Sequence, residues 1–126
     1  MHRFFDIVIE PTLATIEPRV IAEIGSYRGH NTEKLIRFAM ENDCVVHVVD
    51  PSPEYDAGEW QKRWESCVKF HLALSLDVLG TIEPCEVVLI DGDHNWYTVF
   101  NELRLLEKTS LDNDRSFPLV FLQDVG

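Results

Sequence analysis

The chain has 126 residues, of which 45% are hydrophobic, which is enough for one domain with a buried core. Its 22 acidic residues outnumber 11 basic ones and give a formal net charge of −11. An acidic surface cannot neutralise phosphates, so we expect no nucleic acid partner. The composition therefore predicts a single domain over residues 1–126 that acts on something other than nucleic acid.

The cysteines and the hydropathy pattern indicate the cellular compartment in which we expect the protein. The three cysteines, Cys44, Cys67 and Cys85, show no CxxC spacing, so we expect buried thiols in a reducing compartment. No uninterrupted apolar stretch approaches the ~20 residues of a membrane span. We therefore expect a cytoplasmic protein that has no contact with the membrane.

Apolar runs predict five strands, at 20–24, 45–49, 68–72, 86–90 and 119–123. Helical spacing predicts a lead-in helix or two short turns within 4–16, then a helix that Asn31 or Thr32 caps. Further helices are predicted at 59–67, 75–79 and 96–108. In the last of these we expect five inward residues: Val99, Phe100, Leu103, Leu105 and Leu106.

This alternation of strands and helices predicts an α/β fold with a doubly wound parallel sheet. Ligands of such sheets bind at the carboxyl ends of the strands. Acidic residues occur at or just past four of these ends in the sequence. The sequence therefore predicts a ligand site lined by carboxylates.

The segment after the first strand, Glu23-Ile-Gly25-Ser-Tyr-Arg-Gly29, is rich in turn signals. Its glycines either let the backbone approach a ligand or simply allow a sharp turn. Asp50 ends the second strand, where a carboxylate can accept hydrogen bonds from ribose hydroxyls or shape the turn before Pro51. Together these residues predict a site for a nucleoside-type cofactor.

Three further carboxylates, Asp91, Asp93 and Asp124, follow the fourth and fifth strands. Oxygen ligands of this kind suit Mg²⁺, which would lower the pKa of a substrate hydroxyl. The alternative is turn geometry at Asp91 and solvation of Asp93. His94 is either a general base or a histidine that anchors the loop by hydrogen bonds.

These motifs resemble those of class I S-adenosylmethionine-dependent methyltransferases, in the branch of macrocin O-methyltransferases and cephalosporin-hydroxylase-like proteins. The family's E-x-G-x-x-x-G motif corresponds to residues 23–29, and its I-D-G-D-H motif, followed by an aromatic residue, to residues 90–96. Ser75 corresponds to a serine near the adenine, or else caps a short helix. Leu74 departs from the family, which usually has an aspartate there.

The resemblance implies a Rossmann-like fold that binds S-adenosylmethionine and methylates an oxygen of a small hydroxylated acceptor. It implies His94 and Asp91 as catalytic residues and Asp91, Asp93 and Asp124 as ligands of an optional Mg²⁺. The implied cofactor-binding residues are Glu23, Gly25, Ser26, Gly29, Asp50, Ser75 and Asp91. Complete members continue with a helix and a β-hairpin, so we expect a C-terminally incomplete domain whose fifth strand is an exposed edge, open to homodimer formation.

Two alternatives remain open at this point. Leu74 and the early end of the chain favour a catalytically inactive domain that binds S-adenosylmethionine or serves assembly. A half-domain of an NAD-dependent oxidoreductase is disfavoured, because residues 23–29 lack the tighter G-x-G-x-x-G pattern. The residues around Asp91 would also have no role in such an enzyme.

Overall fold

A computed structural model describes residues 4–91 and 95–122 and contains one five-stranded parallel sheet. Its strands are β1 (Val20–Ile24), β2 (Val45–Val49), β3 (Val68–His71), β4 (Val87–Ile90) and β5 (Leu119–Leu122). They lie in the order β3-β2-β1-β4-β5, and every neighbouring pair is parallel. The predicted doubly wound parallel sheet is therefore confirmed, with β5 at one edge.

In the described part of the chain five α-helices accompany the sheet: α1 (Glu10–Ile16), α2 (His30–Asn42), α3 (Ala57–Arg63), α4 (Ser75–Val78) and α5 (Trp96–Asp112). A π-helical segment, Phe5–Ile9, leads directly into α1. α5 extends past its predicted end, and α3 begins and ends earlier than predicted. None of the helices in residues 4–91 and 95–122 has the length and hydropathy that a bilayer crossing requires.

The sheet is covered on both faces, so successive residues of a central strand enter different cores. In β1, Ile21 packs with the residues of α1 and α2, whereas Ala22 packs with those of α4 and α5. Both side chains are fully buried. Burial on both faces explains why the central strands β1 and β2 are apolar at all positions but one each, Glu23 in β1 and His47 in β2.

The N-terminal segment packs one of its faces into the core beneath β1 and α2. Phe5, Ile9 and Leu13 are buried, whereas Ile7 is 70% exposed. The buried positions recur at every fourth residue, which is close to one helical turn, so they share one face.

The set of inward residues predicted for α5 is wrong at one position, Phe100. Val99 and Leu106 are buried as expected, whereas Phe100 is 49% exposed. The guanidinium carbon of Arg104 instead lies over the Phe100 ring, 5.9 Å from the centroid of that ring. The three cysteines are buried free thiols, as the sequence predicts.

Candidate functional site

The loop between β1 and α2, residues 25–29, has an unusual backbone and is called the glycine loop below. Gly25 (φ 84°), Tyr27 (φ 52°) and Gly29 (φ 83°) all have positive φ angles. Glycine adopts this conformation freely, but a tyrosine does so at a cost. The alternation produces a sharp turn that brings the loop backbone to the carboxyl end of the sheet.

α2 begins at His30, and Gly29 occupies its N-cap position without a side-chain hydrogen bond. The predicted caps, Asn31 and Thr32, are therefore wrong. Thr32 instead donates a hydrogen bond from its hydroxyl to the carboxylate of Glu23. This contact ties the first turn of α2 to the end of β1.

Asp50 anchors the glycine loop from the end of β2. Its Oδ2 accepts hydrogen bonds from the Ser26 N–H at 2.9 Å, the Ser26 Oγ at 3.0 Å and the Tyr27 N–H at 3.0 Å. Its Oδ1 accepts from the Ser52 N–H at 2.9 Å. The carboxylate thus shapes both neighbouring turns, while its binding to a ribose stays a prediction.

Glu23 is a buried carboxyl group near two other acidic residues, with only 2% of its surface exposed. Burial raises its pKa from 4.5 to about 8; the hydrogen bond from Thr32 opposes this, and the charges of Asp91 and Asp50 add to it. In the absence of a cation Glu23 is therefore largely protonated at neutral pH.

The glycine loop separates two cavities, which share Gly25 and Tyr27 in their walls. One cavity, of about 330 Å³, is polar and includes Glu23, Asn31 and Asp91. The other, of about 370 Å³, is mainly apolar; its wall includes Ile24, Val49, Pro51, Leu74 and Leu76, with Asp50 beside them. We call them the polar half and the apolar half of the cleft.

The donor and acceptor groups of the cleft fit an amino acid joined to a nucleoside. Asn31 Oδ1 is buried in the polar half and has no hydrogen-bond partner among residues 4–91 and 95–122. With the carboxylates of Glu23 and Asp91, it forms a set of acceptors suited to an ammonium group. The apolar half suits a planar base, and Asp50 lies where a ribose would join the two.

Ser75 lies in the first turn of α4 and lines the apolar half. Its hydroxyl donates to the buried carboxylate of Glu102 in α5, so its alternative role as a helix cap is wrong. Leu74 occupies the N-cap position of α4 and is 61% exposed. Glu102 was not predicted as a site residue, because its link to Ser75 depends on how α4 and α5 pack.

Three predicted site residues, Asp93, His94 and Asp124, lie outside the described residues. Within residues 4–91 and 95–122, no group of three or more His, Cys, Asp or Glu side chains could hold a metal ion. The Mg²⁺ ligand set and the general base therefore stay predictions.

A histidine cluster on β2 and β3 was also missed by sequence reasoning. The buried His47 contacts His71 through ring nitrogens 2.9 Å apart and Glu83 at 3.0 Å. Burial and the charges of His47 and Lys69 lower the pKa of His71. The register of the two strands creates this cluster, and no spacing in the sequence shows it.

Comparison with known proteins adds a family to this geometry. A family model described as "Methyltransferase domain" matches residues 22–113. No curated protein matches the sequence.

Solved structures match over most of the chain. A methyltransferase from Podospora anserina with bound SAH has a TM-score of 0.65 at 21% identity; the match covers 89% of this chain and 48% of that one. A 1,6-didemethyltoxoflavin-N1-methyltransferase from Burkholderia thailandensis, with 1,6-didemethyltoxoflavin and S-adenosylhomocysteine bound, scores 0.61 at 17% identity, covering 86% and 46%. The structure named cmcI-N160 SAH scores 0.63 at 17% identity, covering 94% and 58%. The likeness concerns the fold, and this chain spans about half the length of these structures.

Proposed function

This chain belongs to the family of methyltransferase domains, and we propose that it binds S-adenosylmethionine and methylates a hydroxyl oxygen of a small acceptor. The observation that carries the proposal is the cleft, whose polar and apolar halves meet at Gly25. A cofactor made of an amino acid and a nucleoside needs two such unlike halves side by side.

The apolar half would take the adenosine. Leu74 and Leu76 offer apolar surface to the base. Asp50 would accept a hydrogen bond from the ribose through Oδ1, for which the described residues provide one donor, the Ser52 N–H. Oδ2 already has three donors and serves the glycine loop. One carboxylate would thus hold the glycine loop through Oδ2 and the ligand through Oδ1.

The polar half would take the amino-acid end. Asn31 Oδ1, Glu23 and Asp91 would accept hydrogen bonds from the ammonium group, while Arg28 and His30 on the same wall would meet the carboxylate. A bound ammonium favours the ionised form of Glu23, so binding near neutral pH would release a proton.

S-adenosylmethionine supplies a methyl group activated by a positively charged sulfur. The protein would align the acceptor oxygen with that methyl group and exclude water. The family resemblance supports His94 as the base that takes the hydroxyl proton and Asp91 as a second catalytic residue. A small acceptor is supported by the Burkholderia thailandensis structure, which holds the small molecule 1,6-didemethyltoxoflavin.

Calorimetric titration of the chain with S-adenosylmethionine, S-adenosylhomocysteine and NAD tests the proposal. We expect saturable binding of the two sulfur nucleosides, weakened in Asp50→Ala and retained in Asp77→Ala, which removes an exposed carboxylate from α4. Binding of NAD in their place would revive the oxidoreductase alternative. Cofactor binding without transfer to any hydroxylated acceptor would support the inactive-domain alternative.

The predicted magnesium site has its own test. Titration with Mg²⁺ alone should show saturable binding that Asp91→Asn removes, if Asp91, Asp93 and Asp124 bind the ion as the resemblance implies. Equal heats in the two proteins would remove magnesium from the proposal and leave the cofactor site unaffected.

A further inference from the structure

Two aromatic side chains from the segment after β2 cover the glycine loop. The rings of Tyr55 and Trp60 are stacked, with centroids 4.2 Å apart and planes at 24°. They lie so close to Gly29 that a Cβ atom built there would be 2.6 Å from the Trp60 ring and 3.2 Å from the Tyr55 ring. We call Tyr55 and Trp60 the aromatic brace.

Hydrogen bonds join the same segment to the loop. The Tyr55 hydroxyl lies 2.7 Å from Ser26 Oγ, and the Glu54 N–H donates to the Tyr27 carbonyl at 2.7 Å. Because the Ser26 hydroxyl donates its proton to Asp50 Oδ2, the Tyr55 hydroxyl must be the donor to Ser26. Burial raises the pKa of Tyr55 to about 12, so this donor keeps its proton at neutral pH.

The glycine loop needs such support. A non-glycine residue with a left-handed backbone, such as Tyr27 at φ 52°, persists only when its surroundings hold it. Asp50 holds the loop from the side of the sheet, and the aromatic brace holds it from the side of Gly29. A binding loop that is already in its bound conformation loses less entropy when the ligand arrives.

We propose that Tyr55 is a positioning residue, which with Trp60 holds the glycine loop in the conformation that takes the amino-acid end of the cofactor. The inference rests on the proposed function and deepens it. Tyr55 lines neither half of the cleft itself and acts through Ser26, which lines the polar half. The adenosine would lie in the apolar half, whose lining does not include Tyr55.

The test compares Tyr55→Phe, which keeps the stacked ring and removes the hydroxyl, with Tyr97→Phe, the same change at a side chain that is 70% exposed. Each protein is titrated with S-adenosylhomocysteine and with 5′-methylthioadenosine, which has the adenosine but lacks the amino acid. In Tyr55→Phe we expect about 3- to 10-fold weaker binding of S-adenosylhomocysteine, the range for one lost hydrogen bond. Binding of 5′-methylthioadenosine should stay within about twofold, and Tyr97→Phe should change neither.

The outcomes separate this inference from the proposed function. Equal weakening of both ligands in Tyr55→Phe would mean that Tyr55 supports the whole domain, and unchanged binding of both would mean that it supports nothing at the site. Either result overturns the inference and leaves the cofactor assignment standing.

If the wild-type chain binds neither ligand, the proposed function fails, and with it the inference about the cofactor. Amide hydrogen exchange of the free proteins then decides the remaining claim about the loop. Faster exchange in Tyr55→Phe confined to residues 25–29 supports positioning, whereas no change or a rise along the whole chain overturns it.

Discussion

Glu23→Gln should stabilise the empty domain at neutral pH while weakening its binding of the cofactor. The carboxyl group of Glu23 is buried, and the charges of Asp50 and Asp91 disfavour its ionisation. Glutamine has nearly the same shape and keeps an oxygen that can accept the hydrogen bond from Thr32. It cannot ionise, so it removes the free-energy cost of a buried acid that resists losing its proton.

The size of the effect follows from the pKa. The unfolded chain releases this proton near pH 4.5, whereas the folded protein keeps it until about pH 8. Folding free energy is therefore lost as the pH rises between these values, and the loss is complete above the higher one. At neutral pH the cost is roughly 3 kcal/mol, at about 1.4 kcal/mol for each pH unit above the lower value. Glu23→Gln should gain this amount at neutral pH and nothing near pH 4.5.

Urea unfolding followed by tryptophan fluorescence measures the effect over the window from pH 4.5 to about 8. The free energy of unfolding of the wild type should fall more steeply than that of Glu23→Gln, so the two curves diverge with rising pH. Glu107→Gln, at an exposed position of α5, controls for the loss of one charge. Parallel curves for the wild type and Glu23→Gln would refute the argument that Glu23 is protonated in the folded state.

Three further predictions concern the loop, the histidine cluster and the core. Gly29→Ala places a methyl group 2.6 Å from Trp60 at a positive φ and should cost about 1–3 kcal/mol in urea unfolding; equal stability of Gly29→Ala and its control Gly58→Ala would contradict this. His71 has a lowered pKa, so its protonation should lower the unfolding free energy of the wild type relative to His71→Gln as the pH falls below 6.5; a difference between the two proteins that does not change with pH would be evidence against it. Leu13→Ala empties a fully buried position and should lower the unfolding free energy by about 2–5 kcal/mol; a loss typical of surface sites would show that the N-terminal segment packs loosely.

The strands were predictable to within one residue at each end. Runs such as Val45–Val49 are apolar except for His47 because both of their faces are buried, and this signal is local. Helix boundaries were less predictable: α2 starts at His30 because Gly29 adopts a positive φ, which no residue type announces by itself.

Some residues of the candidate site were likewise predictable from local signals, and others were not. The glycine loop and Asp50 were visible in the sequence because turn residues and strand ends follow local rules. Tyr55 and Glu102 were not, since their partners Ser26 and Ser75 lie 29 and 27 residues away along the chain. Such contacts depend on how helices and loops pack over the sheet, and residue spacing carries no record of it.

The strand order has a consequence for how the chain reaches this structure. The central strand β1 pairs on one side with β2 and on the other with β4, whose partner residue Val87 faces Ile21 from far along the sequence. During synthesis the second side of β1 therefore stays without its strand until Val87–Ile90 has been made. Closing so long a connection is slow compared with local pairing. A nascent chain that ends before β4 would thus expose an apolar strand edge to neighbouring nascent chains. Slow translation before β4 would lengthen that exposure.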